Sequence, residues 1–384
     1  MNGPKRVRAA VLRKGAQKGP FRETRPLSFE DVWVDPPEFG EIQVRVRAAS
    51  LCHSDLSAIN GDRPWPTPLV IGHEAAGEVI AIGDGVSRFA IGDAVVMVFK
   101  PFCGQCQPCL VGRGVLCEPG SASNAKAQLL GGYHRLRPVD PQAASAALHH
   151  HMGVAAFSEV VTISQHSAVR IEPGLAWEVA ALFGCAVLTG AGAVFNTAMV
   201  RPGQSVAVVG LGGVGCSALL AARAAGASIR IAIDPVPEKR AFAMELGATH
   251  AFDAAATDVI EVVKGLTSGG VEVALEMAGA VPALELAYAI AQRGGQVVSA
   301  GLPNPAARWS LAAASLIAEE KTIKGSYMGS AVPIRDIPRY IALMQAGQLP
   351  VQSLLGRVIG LEDLHDALDS LASGQALRQV VRFD

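Results

Sequence analysis

Short apolar runs separated by Gly, Pro and Asp dominate roughly the first 170 residues, and this pattern predicts strands rather than helices. Residues 42–48, 76–82 and 94–98 read as strands, with Gly83, Gly85 and the Gly92-Asp93 step as turns. Residues 120–151 show no clean period and read as a long excursion with room for one helix. After Pro202-Gly203 the texture changes. Apolar, β-rich runs at 205–209, 229–233, 271–275 and 296–300 alternate with helical patterns at 216–225 and 238–246. Such alternation predicts a parallel sheet covered on both faces. The tail offers amphipathic helices near 337–346 and 361–373 and a strand at 379–383. Residues 179–200 carry no charge, but Gly184, Thr189, Gly190, Gly192, Asn196 and Thr197 interrupt the apolar surface. A buried helix packed between domains is expected there, not a membrane span.

Composition narrows the possibilities. The 384 residues suffice for two domains with separate cores. A mean hydropathy of +0.31 excludes a disordered chain. Acidic and basic side chains nearly cancel, 34 against 33, so neither nucleic acid nor a membrane surface is an expected partner. Seven cysteines are an odd number, residues 1–14 hold no uninterrupted hydrophobic signal core, and a cytoplasmic location is expected.

Cys103, Cys106, Cys109 and Cys117 form a C-x2-C-x2-C-x7-C run. Four thiolates so close in sequence can close a tetrahedral shell around one zinc ion. Gly104 and Pro108 help the backbone wrap tightly. Disulfides would need an oxidising compartment, and the bacterial iron–sulfur run closes with a shorter final spacer. A structural zinc is the expected occupant. A shell closed by four thiolates has no open position, so the chemistry lies elsewhere.

Gly210-Leu211-Gly212-Gly213-Val214-Gly215 is a G-x-G-x-x-G element between an apolar strand and a helix. Asp234 follows at the end of the next strand. Glycines permit a tight turn and close backbone approach to a pyrophosphate, and the helix N-terminus receives its charge. Asp234 can accept from a ribose diol and would repel a 2′-phosphate, which favours NAD over NADP. Cys52, His73 and Cys185 have metal-ligand chemistry, but their separation leaves open whether they meet.

The contexts of Cys52 and Cys185, the Gly72-His73-Glu74 step, the four-cysteine run and the glycine loop occur in one order. Together they resemble the zinc-dependent alcohol dehydrogenases of the medium-chain dehydrogenase/reductase superfamily, over nearly the whole chain. The resemblance implies an α/β protein: a Rossmann doubly wound NAD-binding domain at 187–327, and a β-rich GroES-like catalytic domain at 1–186 and 328–384. It implies two Zn²⁺ per chain, the catalytic one on Cys52, His73 and Cys185. Asp55 would fix the His73 tautomer, Glu74 would lie behind the metal, and Ser54 would begin proton removal. His53, Thr189, Val214, Lys239 and Arg378 would join the glycines and Asp234 in binding NAD. Phe99, His151, Met152 and Leu302 would line the substrate pocket, with Arg63 and Trp65 at its entrance. The substrate would be a small alcohol or aldehyde, and the assembly a homodimer or homotetramer.

Two positions depart from the family pattern. Ser57 stands where some members have the histidine that ends a proton relay, and a hydroxyl cannot hold a proton near neutral pH. Ser121 stands where the glutathione-dependent formaldehyde class has an arginine, which disfavours glutathione adducts. A primary, allylic or benzylic alcohol is therefore expected, ahead of a glutathione-adduct or polyol dehydrogenase. A zinc-stabilised nucleotide sensor without catalysis is the reading from another class. The tract His149-His150-His151 is expected to line a pocket or meet solvent in preference to holding a third metal.

Overall fold

The computed structural model describes residues 3–140, 147–374 and 378–384. The chain forms two compact units, one of Met1–Cys185, Val332–Ile337 and Leu355–Asp384, the other of Ala186–Ala331 and Pro338–Leu354.

The first unit is built on two sheets. In the larger, strand Glu41–Ser50 is central: it pairs antiparallel with Ala75–Ile82, with Val160–Ser164 and with the terminal strand Arg378–Arg382. Ala94–Met97 and Ala168–Arg170 continue one side, and Leu355–Ile359 closes the other. Inward-facing Ile42, Val44, Val46, Val79, Val95 and Met97 are buried with Phe157 in one apolar cluster. Burying side chains of this size stabilises by about 1.5–3 kcal/mol each. The smaller sheet orders Leu136–Pro138, Leu27–Val34, Lys5–Leu12, Leu69–Val70 and His149–His150. The excursion expected at 120–151 therefore contributes two short strands, after a helix at Glu118–Ala125.

The second unit carries six parallel strands in the order His250–Phe252, Ile229–Ile233, Ser205–Val209, Val271–Glu276, Ala291–Ser299, Thr322–Gly325. Helices Gly213–Ala224, Pro237–Glu245, Val259–Leu266 and Val281–Ile290 supply the crossovers. The first strand in sequence, Ser205–Val209, lies mid-sheet. Its crossover runs to one neighbour, while Val271–Glu276 lies on its other side. The crevice at their carboxyl ends is the topological switch where such sheets bind ligands.

Two expectations are corrected. The return expected at 328 occurs at Val332, and Pro338–Leu354 belong to the second unit. There the Tyr340 hydroxyl accepts from Asn196 Nδ2 at 3.3 Å and its ring packs on Phe195. The uncharged stretch is not one helix. It breaks at Cys185 (φ −141°) between the turn Leu182–Gly184 and helix Ala186–Gly192. Among the described residues no single helix is long and apolar enough to cross a membrane.

Candidate active site

Register brings the first unit's site together. Ala49 faces Ala75, Ala75 faces Met97, and Val380 faces Ser50. The segments just beyond these strand ends therefore emerge side by side, carrying Cys52, His73, Glu74 and Phe99, with Arg378 entering on the terminal strand. Ser50 N–H donates to Glu74 O at 2.7 Å and Leu51 N–H to Gln379 O at 2.9 Å. Cys185 arrives separately. A Cβ on Gly184 would stand 2.3 Å from Met97 O, so only glycine lets this turn press against the strand end.

Cys52, His73, Glu74 and Cys185 are buried, and their ligand atoms all lie within 4.8 Å of one another. His73 Nδ1 is 2.9 Å from Asp55 Oδ1, and Asp55 Oδ2 accepts the Cys52 N–H at 2.9 Å. That pairing places the hydrogen on Nδ1 and leaves the Nε2 lone pair free. Nε2 is buried without a hydrogen-bond partner. Two sulfurs and an orphaned imidazole nitrogen facing one point fit a zinc ion.

The charges of these groups are strongly coupled. Cys185 beside it holds the Cys52 thiol well below its ordinary value, and Cys52 pushes Cys185 well above, as two sulfurs sharing one proton require. Burial opposes a charged His73, but Asp55 outweighs it and raises the imidazole well above its usual value. Burial likewise opposes an ionised Asp55, yet His73 and His151 hold it low. Arg378, expected on a pyrophosphate, is buried, with its Nη1 on Glu74 Oε2 at 3.0 Å and Leu51 O at 3.1 Å.

The pocket expectations divide. Phe99 packs edge-on against His73, ring centroids 5.6 Å apart. His151 is fully buried and turned inward, its Nδ1 3.2 Å from Asp55 Oδ1 and its ring edge-on to Trp65. It is thus a second imidazole on the carboxylate that orients His73, which spacing gave no means of finding. Met152 adopts left-handed φ of 50°. Ser54 and Ser57 are half-buried on helix His53–Asn60. His53 is exposed and lines an open cleft of about 950 Å³ with Lys18, Arg22 and Asp369. His149 and His150 lie in a strand apart from His151, and neither joins a metal-ligating group among the described residues.

The four cysteines of the lobe converge as their spacing predicts, with sulfurs within 4.8 Å of one another and Cys106 Sγ 3.5 Å from Cys109 Sγ. All seven cysteines are free thiols, so the disulfide alternative falls. N–H groups of Cys103 and Gly120 point at Cys117 Sγ and that of Cys106 at Cys103 Sγ. Burial pushes Cys109 up to about 12. Lys100, buried, donates to Ser121 Oγ.

In the second unit, Gly210 (φ 94°) closes the strand and Gly212 caps helix Gly213–Ala224. A Cβ on Gly210 would stand 2.7 Å from Ala278 N, whereas one on Gly212 would meet nothing within 4 Å. The first glycine is needed for packing, and the second leaves space for a ligand. Asp234 is buried, its Oδ2 accepting Leu211 N–H at 2.8 Å and Oδ1 accepting Val236 N–H at 2.9 Å. It therefore also pins the loop it follows. Helix Ala186–Gly192, with Thr189, packs on the loop helix so closely that a Cβ on Gly190 would reach within 2.2 Å of Val214 O. Lys239 is half-buried on helix Pro237–Glu245, and Leu302 is half exposed.

Comparison with known proteins agrees with this architecture. Residues 38–173 match the family "Alcohol dehydrogenase GroES-like domain" and residues 213–346 match "Zinc-binding dehydrogenase". An NDMA-dependent alcohol dehydrogenase from Amycolatopsis methanolica is 37% identical over 98% of both chains. A zinc-binding-domain alcohol dehydrogenase from Burkholderia ambifaria superposes with a TM-score of 0.92 at 34% identity, covering 99% of this chain and 100% of the other. Benzyl alcohol dehydrogenase from Acinetobacter calcoaceticus does so with 0.91 at 29% identity, with the same coverage. With the buried sulfur–imidazole–sulfur group, the four-thiolate lobe and the glycine-loop sheet in one chain, this protein belongs to the zinc-dependent alcohol dehydrogenases of the medium-chain dehydrogenase/reductase superfamily.

Proposed function

We propose that the protein is an NAD-linked alcohol dehydrogenase acting reversibly on primary, allylic or benzylic alcohols. The observation that carries this reading is the convergence of Cys52, His73 and Cys185 on one buried point, with Asp55 fixing the imidazole. Zinc held by those three residues supplies a Lewis acid that makes an alcohol more acidic. NAD supplies the hydride acceptor. The chain's own residues bind, orient and move the proton. Ser54 Oγ would accept the substrate proton as it gives up its own, and Ser57, one helical turn on and on the same face, would relay a proton in the same way to solvent water. Glu74, paired with Arg378, backs the sulfurs. Phe99 provides an aromatic wall beside His73.

NAD is preferred over NADP because Asp234 puts a buried carboxylate at the strand end where the ribose binds in such sheets. The backbone of Gly212 and the start of helix Gly213–Ala224 receive the pyrophosphate. Similarity to benzyl alcohol dehydrogenase supports an aromatic alcohol among the substrates. The expected assembly is a homodimer or homotetramer.

The test is steady-state oxidation of ethanol, allyl alcohol and benzyl alcohol by zinc-loaded enzyme, with NAD or NADP, with and without glutathione. Faster turnover with NAD, without need of glutathione, is expected. Asp234→Ser should narrow the preference for NAD. An enzyme with both zinc sites filled that oxidises none of these alcohols would refute the proposal.

A further inference from the structure

Glu276, the last residue of strand Val271–Glu276, is a charged side chain only 1% exposed at the switch crevice of the parallel sheet. No cation pairs with it among the described ion pairs. Its partners are all neutral donors. Oε1 accepts the N–H groups of Ala278 at 2.7 Å and Gly279 at 2.6 Å, and Oε2 accepts Ser299 Oγ–H at 2.6 Å. Its carbonyl accepts Ala300 N–H at 3.0 Å. One side chain thus ties the turn after its own strand to the end of the neighbouring strand Ala291–Ser299.

That turn is what the dinucleotide loop rests on. Ala278 N is the atom a Cβ on Gly210 would strike at 2.7 Å, and Met277 N–H donates to Val209 O at 2.8 Å. On the far side, a Cβ on Gly279 would meet Leu302 N at 2.9 Å, and one on Gly301 would meet Gly279 N at 2.1 Å. The turn is therefore wedged between the glycine loop and Leu302 with no slack. Asp234 grips the loop from the other side through Leu211 N–H. A buried carboxyl group without a cation is costly to keep unless hydrogen bonds compensate it, and a neutral amide would offer one accepting end where this group offers two. Three donors aimed from two segments make it a clamp.

We propose that Glu276 is a positioning residue for the dinucleotide: it holds the turn at Ala278–Gly279 against Gly210 so that the loop is preorganised before the cofactor arrives. This inference rests on the reading of the loop as a dinucleotide site. Preorganisation raises affinity by removing the ordering cost from the binding event. The residue acts on cofactor affinity and not on the metal centre.

The test is NADH fluorescence titration of zinc-loaded wild type, Glu276→Gln and Ser299→Ala, with kcat at saturating cofactor and hydrogen exchange at Ala278 and Gly279. Glutamine keeps the shape and one acceptor but loses the charge-assisted bonds, which are about twice as strong as neutral ones. Glu276→Gln should bind NADH about tenfold more weakly, exchange those amides faster, and keep its zinc content and kcat within about twofold. Ser299→Ala, which leaves the turn's two bonds intact, should change binding by less than Glu276→Gln. A Glu276→Gln protein that melts lower yet binds NADH like wild type would overturn the inference and reduce the residue to a structural one. A wild type that binds no NADH would instead overturn the dinucleotide reading itself.

Discussion

Replacing Asp55 by Asn keeps the volume of a fully buried side chain but removes its negative charge and one of its two accepting ends. The carboxylate now accepts twice, from Cys52 N–H through Oδ2 and from His73 Nδ1–H through Oδ1, both at 2.9 Å. An amide has one accepting end. If its NH2 faces Cys52, a buried N–H at the start of helix His53–Asn60 is opposed by another donor, at about 1–3 kcal/mol. If its NH2 faces His73, the imidazole must accept at Nδ1 and carry its hydrogen on Nε2, the atom needed as ligand. Either way the ligand set is misaligned, and loss of such a supporting partner typically weakens metal binding about 10–100-fold. At about 1.4 kcal/mol per tenfold, the expected loss is roughly 1.4–2.7 kcal/mol. Competition with a chromophoric chelator should show one zinc per chain released more readily in Asp55→Asn and the other unchanged, because the four-cysteine lobe has no bond to Asp55. Two zinc ions released as in wild type would refute the claim that this carboxylate orients His73.

Other outcomes follow from the same geometry. Gly212→Ala should alter stability by less than about 1 kcal/mol, since its backbone (φ −76°) and surroundings accept a methyl group, yet weaken NADH binding. Gly210→Ala, with φ of 94° and Ala278 N in the way, should destabilise by about 1–3 kcal/mol. Melting curves and NADH titration separate the two, and Gly212→Ala binding like wild type would remove the loop's assigned role. Burial, then His134 and Arg135, push His150 down to about 3. Its unfolded value is near 6.5, so the unfolded chain takes up the proton first, and this contribution to stability is full above about 6.5 and lost as pH falls toward 3. At pH 5.5 the loss is about 1.4 kcal/mol. His150→Gln, which retains an acceptor for Arg135 N–H, should flatten that acid slope in denaturant titrations, and an unchanged slope would contradict the burial argument.

What the chain alone determined was local. The four lobe cysteines lie within one wrap of backbone, so their spacing largely sets their geometry. Strand, glycine turn, helix and Asp234 also follow one another directly, and the strands at Ser205–Val209 and Ile229–Ile233 have the bounds their apolar runs suggested. Strand Val160–Ser164 carries no alternation because both its faces are buried, and Ala168–Arg170 is too short to show a period. For Cys52, His73 and Cys185, resemblance alone joined residues that spacing could not. Tertiary structure decided the remainder. Arg378 lies on Glu74 because the terminal strand pairs Val380 with Ser50, and His151 lies on Asp55 with Trp65 edge-on against its ring. Glu276 gains its role from the end of a neighbouring strand. Hydrogen bonds and charges between distant segments leave no periodic trace in either partner. Only the register of the sheets, set by burial of their apolar faces, brings them within reach.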